Sequence, residues 1–402
     1  MSKADSTVTI RAIVEERKVV VCCGTGGVGK TTIAAALAIE AARRGRRTVV
    51  VTIDPAKRLA NTLGLDHLSN TAHEIPRTRW DPDRNAPQHE HDPSPDDPYP
   101  AGGGELHALM LDTETTFDQL VRTYAADDQH AERILANRFY RNIAGALSGT
   151  QEYMAMEKLY ELHDDARFDL VVVDTPPTRH ALDFLDAPRR LTRLLDNRIF
   201  RVLMVPTRTT LRVGSVAAQA FLRTVARVVG SEVIDDVVAF FRAFEGMEEG
   251  FRHRAGEVTA LLASSDTAFV LVTTPRRDAV AEARFFADRL ADSQFSVDAL
   301  IANRVHPSFG GESPETLRAR AAALADTSSD SAAAARLAAR YANLADFEEI
   351  ARHEQLELAE LIAHTAGATV AHVPELGDDV HDFAALRTVG AYLLPPGTSV
   401  RP

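Results

Sequence analysis

Cysteine is almost missing from the chain: there are two, Cys22 and Cys23, adjacent in one apolar run. Neighbours on a strand point to opposite sides, so this pair can form neither a disulfide framework nor a C-x-x-C metal site. A reducing cytoplasm is the expected location. Basic charge is short as well, with 45 Lys and Arg against 57 Asp and Glu and a formal net charge of −12. That balance argues against a nonspecific nucleic-acid binder, which needs surplus cations to displace counterions from phosphates. No uninterrupted apolar run reaches the ~18 residues of a membrane span. The opening "MSKADSTVTIRAIVEERK" mixes both charges without an apolar core, so no direct membrane span is expected and any membrane contact is peripheral or made through a partner. Six methionines are few for a Met-lined groove that takes varied apolar helices. No internal repeat is evident.

What is abundant is the short β-branched run: "VVVCC" at 19–23, "RTVVVTID" at 47–54, "ELHALMLD" at 105–112, "DLVVVD" at 169–174, "AFVLVTT" at 268–274 and "DALIANR" at 298–304. Runs so continuous belong to strands buried on both faces. With helical stretches between them, the expected fold class is α/β, a doubly wound and mostly parallel sheet. Residues 80–104, dense in Pro, Asp, Gly and His, cannot bury enough area to offset their ordering entropy and are expected to form a flexible surface loop. His89 and His91 in that loop, with His107 beyond it, show no ligand spacing that would make a metal site. From 197 to 263 the pattern turns helical without a strand-like run, which predicts a helical insertion on a nucleotide-binding body formed by 1–196 and 264–402. The apolar positions of that insertion suit a local core or an exposed client groove. A second, Ala-rich helical stretch separates the Asn303 run from "ATVAHVPEL".

"VVVCCGTGGVGKTT" from Val19 to Thr32 satisfies two fingerprints at once. Gly24, Gly26 and Gly29 spell the dinucleotide G-x-G-x-x-G, and Gly24 to Thr31 spell the triphosphate P-loop G-x-x-x-x-G-K-[ST]. Asp54, about 25 residues after Gly29, stands near the place of a ribose-binding acid. Lys30 and Thr31 favour the P-loop, because an ammonium for the β- and γ-phosphates and a hydroxyl for Mg2+ have no role in a dinucleotide turn. Asp174 ends a hydrophobic strand, as the carboxylate near the metal must. Asp54, ahead of "PAKRLANTLGL", then becomes a candidate to orient the attacking water, with a turn or N-cap acid as the plainer reading.

Taken together, G-x-G-G-V-G-K-T-T, the D-P-A of Asp54 to Ala56, and D-T-x-P-T-x-H from Asp174 to His180 resemble the ArsA family. That family comprises arsenite-pump ATPases and ATPases that target tail-anchored membrane proteins, and the likeness is nearest to actinobacterial ArsA-like anion-transporting ATPases. The resemblance implies a P-loop NTPase of the deviant Walker A (SIMIBI) type. Its ligands would be ATP and Mg2+, with Gly26, Gly27, Val28, Gly29, Lys30, Thr31 and Thr32 on the phosphates and Thr31, Asp54 and Asp174 around the metal. Catalysis would rest on Lys30 and Asp54. Asn303 would read the adenine edge, the Pro374 loop would line the base pocket, and His180 would couple nucleotide state to conformation.

The family pattern G-K-G-G-x-G-K places a lysine where this chain has Thr25, and that lysine reaches a partner's nucleotide. The resemblance therefore implies a nucleotide-dependent dimer, either of identical chains short of that charge or with a Lys-bearing paralogue; Arg58 or Arg179 could stand in for the missing cation. With two cysteines on one strand, arsenite activation is not expected. The helical insertion would grip a protein client. A hydrolysis-poor regulatory subunit and a partitioning ATPase are the alternative readings, the latter without the basic patch or terminal amphipathic helix it would need.

Overall fold

Valine-rich runs with no polar alternation have only one stable place, between two layers of helices. The computed structural model describes residues 9–53, 58–65, 67–82, 103–138, 140, 150–176, 187, 189–190, 192–193, 247–309, 311–327 and 332–395. The first half holds α1 (Ile10–Glu16), β1 (Val19–Gly24), α2 (Lys30–Arg43), β2 (Arg47–Thr52), α3 (Arg58–Thr62), β3 (His73–Glu74), α4 (Arg77–Trp80), β4 (Glu105–Met110), α5 (Thr113–Tyr124), α6 (Asp128–Leu135), α7 (Thr150–Asp164) and β5 (Leu170–Asp174). The second holds α8 (Glu248–Ala263), β6 (Thr267–Thr273), α9 (Arg277–Asp292), β7 (Ala299–Val305), α10 (Pro314–Thr327), α11 (Ala332–His364), β8 (Thr369–Pro374) and α12 (Phe383–Leu393).

The strands form one eight-stranded sheet in the order β3-β4-β2-β5-β1-β6-β7-β8. Every neighbouring pair is parallel except β3 on β4. Strand order reverses at β1, and such a switch point opens a crevice beyond the carboxyl ends of the strands. Parallel pairing brings Gly24, Thr52, Asp174, Asn303 and Pro374 to that one edge. Alternate residues of β1 serve opposite layers: Val20 and Cys22 join one core with α2 and α12, while Val19, Val21 and Cys23 join the other with α7, α8 and α9. Burial pushes the Cys22 thiol well up and the Cys23 thiol to about 12, so both remain protonated.

The first residues of the tract expected to be a loop are packed into the body of the structure. Trp80 is core, its indole N–H donating to the Ile75 carbonyl at 2.9 Å. Asp81 is buried and pairs with Arg43 and Arg77 at 3.3 Å each. A carboxylate that reads as loop in the sequence is here the buried end of an ion cluster that includes Glu40 and Arg44. Residues 83–102, with His89 and His91, lie outside the described residues. His107 sits on β4, edge-on to Phe168 at 5.2 Å, and burial lowers its pKa.

Of the expected helical insertion, 197–246 lies outside the described residues, and α8 forms its end. The apolar face of α8 (Phe251, Ala255) does not pack alone: with Met247 it joins Phe117, Val121, Ile134, Tyr153 and Met154 in a third cluster fed by α5, α6 and α7. Within that junction Glu157 is buried, accepting from the Tyr153 hydroxyl at 2.5 Å and lying 3.5 Å from Arg254 Nε. Burial raises its carboxyl to about 7, against the opposing pull of Tyr153 and Arg254.

A folded-state pKa above the unfolded value gives stability that is full below the unfolded pKa and lost as pH rises through the folded one. Between about pH 4.5 and 7 the chain is therefore expected to lose up to about 3 kcal/mol from this group. Urea unfolding of Glu157→Gln across that interval should show a flatter pH dependence than the parent; parallel curves would remove Glu157 as the cause.

Candidate functional site

The turn after β1 is shaped by what its glycines touch. Gly24 takes φ +151°, and a Cβ there would stand 2.2 Å from the Val272 carbonyl oxygen of β6. Gly27 and Gly29 take φ +80° and +91°, in the left-handed region where side chains are strained. A Cβ on Gly29 would meet Asn303 Nδ2 at 2.3 Å. That amide donates to the Val28 carbonyl at 2.8 Å, fastening the turn to the end of β7. Gly29 is the N-cap of α2 and lays no side chain over it, so the amino end of a 14-residue helix opens directly onto the turn, an anion-binding arrangement.

Lys30 is buried and folds back so that its ammonium donates to the Thr25 carbonyl at 2.7 Å. Thr31 Oγ1 donates to Asp174 Oδ2 at 2.7 Å, and Thr52 Oγ1 donates to the same oxygen at 3.0 Å. The pairing of β5 with β1 and β2 sets this up, because Asp174 stands opposite both Cys22 and Thr52. Thr175, the next residue, donates through its N–H and its hydroxyl to the Cys22 carbonyl at 3.3 and 2.8 Å.

Above the turn lies a cavity of about 290 Å³ lined by Gly27, Gly29 and the first residues of α2. Among the described residues its charged lining is Lys30, Arg58 and Arg304, and no carboxylate lines it. In a chain of net charge −12 this is a local positive field, suited to a polyanion. A second cavity of about 570 Å³ adjoins it, lined by Thr25, Gly26, Gly27 and Val28 and by Arg276, Arg304, His306 and Glu375. Among the described residues no three His, Cys, Asp or Glu side chains converge on a metal position. The Thr31 hydroxyl and the Asp174 carboxylate are hard oxygen donors in contact, which fits Mg2+, an ion usually held by one or two protein groups together with phosphate oxygens.

Of the residues singled out in the sequence, Gly26 to Thr32 and Asp174 converge at this edge. Asn303 does too, its amide nitrogen donating to the Val28 carbonyl and so fastening the loop. Pro374 ends β8 opposite Val305, and Glu375 N–H donates to the Val305 carbonyl at 3.0 Å. Thr25 is buried. Asp54, Arg179 and His180 lie outside the described residues. Sequence reasoning missed Thr52, which shares Asp174 with Thr31, and Arg304; the one signal for the latter is an arginine breaking the apolar run "ALIANRV" beside Asn303. Among the described residues no helix is long and apolar enough to cross a membrane.

Residues 17–325 match the family described as "Anion-transporting ATPase". An uncharacterised protein of Streptomyces coelicolor, SCO2128, is 29% identical over 71% of this chain and 61% of its own length. The ATPase get3 of Schizosaccharomyces pombe is 26% identical over 43% of this chain and 44% of its own. Protein Rv2184c of Mycobacterium tuberculosis is 35% identical over 41% of this chain and 36% of its own. In these alignments the chain spans less than two thirds of each relative's length.

The two left-handed glycines give a graded test of the turn. Gly27→Ala adds a Cβ with nothing within 4 Å, so it bears backbone strain alone, about 1–2 kcal/mol. Gly29→Ala must also displace the Asn303 amide and leave the Val28 carbonyl unsatisfied, adding about 1–3 kcal/mol. Urea unfolding should rank them in that order; equal losses would mean that Asn303 gives way freely.

Proposed function

The chain belongs to the ArsA family of anion-transporting ATPases, and from that premise we propose that it binds Mg2+-ATP, hydrolyses it, and works as a dimeric nucleotide-driven switch. The observation that carries this reading is the cavity over the glycine turn, lined by Lys30, Arg58 and Arg304 and by Thr31, whose hydroxyl is bonded to Asp174. Gly27 to Thr32 would wrap the phosphates with backbone N–H groups at the start of α2. The Lys30 ammonium would leave the Thr25 carbonyl for the β- and γ-phosphate oxygens, exchanging a neutral acceptor for a charged one. Thr31 and Asp174 would hold Mg2+, which neutralises charge on those oxygens. Asp54 would orient the attacking water and accept its proton late in the reaction.

Hydrolysis would release the segments that begin at Asp54 and Asp174. β5 is entered from α7, and α7 packs on both the sheet and the helical cluster, so the state of the nucleotide has a route to the helices where a protein client would bind. The two reduced, buried cysteines agree with a cytoplasmic setting. Thr25 favours a second reading, an unequal pair with a Lys-bearing paralogue: this chain carries no ammonium at that place to lend across an interface, so its own nucleotide, met by the paralogue's lysine, would be the one better hydrolysed.

Lys30→Ala should abolish ATP binding while far-UV circular dichroism stays that of the parent; unchanged affinity and turnover would sink the assignment. Thr25→Lys should raise steady-state phosphate release in a homodimer, because it restores a cation where charge develops on the transferred phosphoryl group. An unchanged rate in a variant that still dimerises with ATP would show that the position does not reach a partner's nucleotide, and the unequal-pair reading would fall.

A further inference from the structure

Arg304 is an arginine with φ +58°, in the left-handed region that costs a side-chain-bearing residue about 1–2 kcal/mol. It sits at a bulge where the β7–β8 register slips between Asn303 and Val305. Its neighbours hold it there from both sides. Asn303 is tied to the Val28 carbonyl. The Val305 carbonyl accepts from Glu375, and His306 is bound through its N–H and its ring to the Glu354 carboxylate of α11 at 2.8 and 2.7 Å. Strain of this kind persists where the surroundings over-determine it, and it collects at functional positions.

The strained backbone sets the side chain on the wall of the phosphate cavity and also of the larger cavity beside it. Lys30 is engaged on Thr25, and Arg58 already has a partner. Arg304 is exposed, and within the described residues its guanidinium makes no ion pair or hydrogen bond. The larger cavity also carries Asp278, Glu282, Glu354 and Glu375, none of which pairs with Arg304. Among the described residues no carboxylate lines the smaller one, so the charged fork stands ready there for an anion.

We propose that Arg304 binds the polyphosphate of the nucleotide in cis, supplying from the end of β7 a positive charge that Thr25 does not bring to the turn. The inference rests on the reading of this cavity as the nucleotide site. It makes Arg304 a ligand of phosphate oxygens, a role separate from the loop-fastening role of Asn303 next to it.

The test uses the full chain with Mg2+-ATP and Mg2+-ADP as probes. Arg304→Ala should lower ATP affinity by about 10- to 100-fold, the loss expected of a hydrogen bond to a charged group, and Arg304→Lys by less. Arg304→Gly separates charge from backbone, because glycine takes φ +58° freely. It should keep or raise the melting temperature of the parent and still lose affinity as the alanine variant does. Added guanidinium ion should recover part of the binding in the glycine variant. Parental affinity in both Arg304→Ala and Arg304→Gly, or a loss in alanine that glycine repairs, would overturn the inference while the nucleotide reading stands. A parent chain that binds neither nucleotide would overturn the reading itself and this inference with it.

Discussion

A turn can wrap an anion with its own backbone only if what lies beneath it comes close enough to hold it. Here that support is the pair of contacts between the β1 turn and the ends of β6 and β7: Gly24 against the Val272 carbonyl, and Gly29 against the Asn303 amide. Both depend on the absence of a Cβ, and the second is closed by a hydrogen bond to Val28. With the turn seated, α2 starts where its amino end meets the cavity, Lys30 is tucked under its rim, and Thr31 comes within reach of Asp174. The parallel order of β5, β1, β6 and β7 is what makes the four strand ends neighbours.

The helical side of the molecule is tied to this edge through α7. Its Ala155, Met156, Leu159 and Leu162 belong to the sheet core, and its Tyr153 and Met154 belong to the cluster with α5, α6 and α8. One helix therefore carries both interfaces and leads into the strand that ends at Asp174. Glu157 lies inside that junction with Tyr153 and Arg254, so the packing that joins the two bodies contains a carboxyl that changes charge near neutrality.

The strands were legible because β-branched runs have no other stable use, and their ends were placed to within one or two residues. The P-loop was legible because Lys30 and Thr31 have a chemical purpose that glycines alone do not. Besides Thr52, three things escaped. β3 is two residues long, exists only by pairing with β4, and carries no periodicity to read. Asp81 reads as loop because charge correlates with exposure, yet Arg43 and Arg77 reach it from α2 and α4. Arg304 gave no sign of its left-handed backbone, since that conformation is imposed by Glu354, Glu375 and the Asn303 amide, contacts between segments up to hundreds of residues apart.

The Thr31 hydroxyl has a single hydrogen, and Asp174 holds it. What the oxygen turns toward the cavity is therefore lone pairs only, and it acts there as an acceptor that repels another acceptor. A bare phosphate oxygen gains nothing at that corner, whereas a cation does. The turn is thus divided by polarity over a few ångströms, with N–H groups and an ammonium on the side for anions and oriented lone pairs on the side for a metal ion. A nucleotide accompanied by its metal meets both halves in their preferred sense, and one without it leaves the oxygen corner facing like charge.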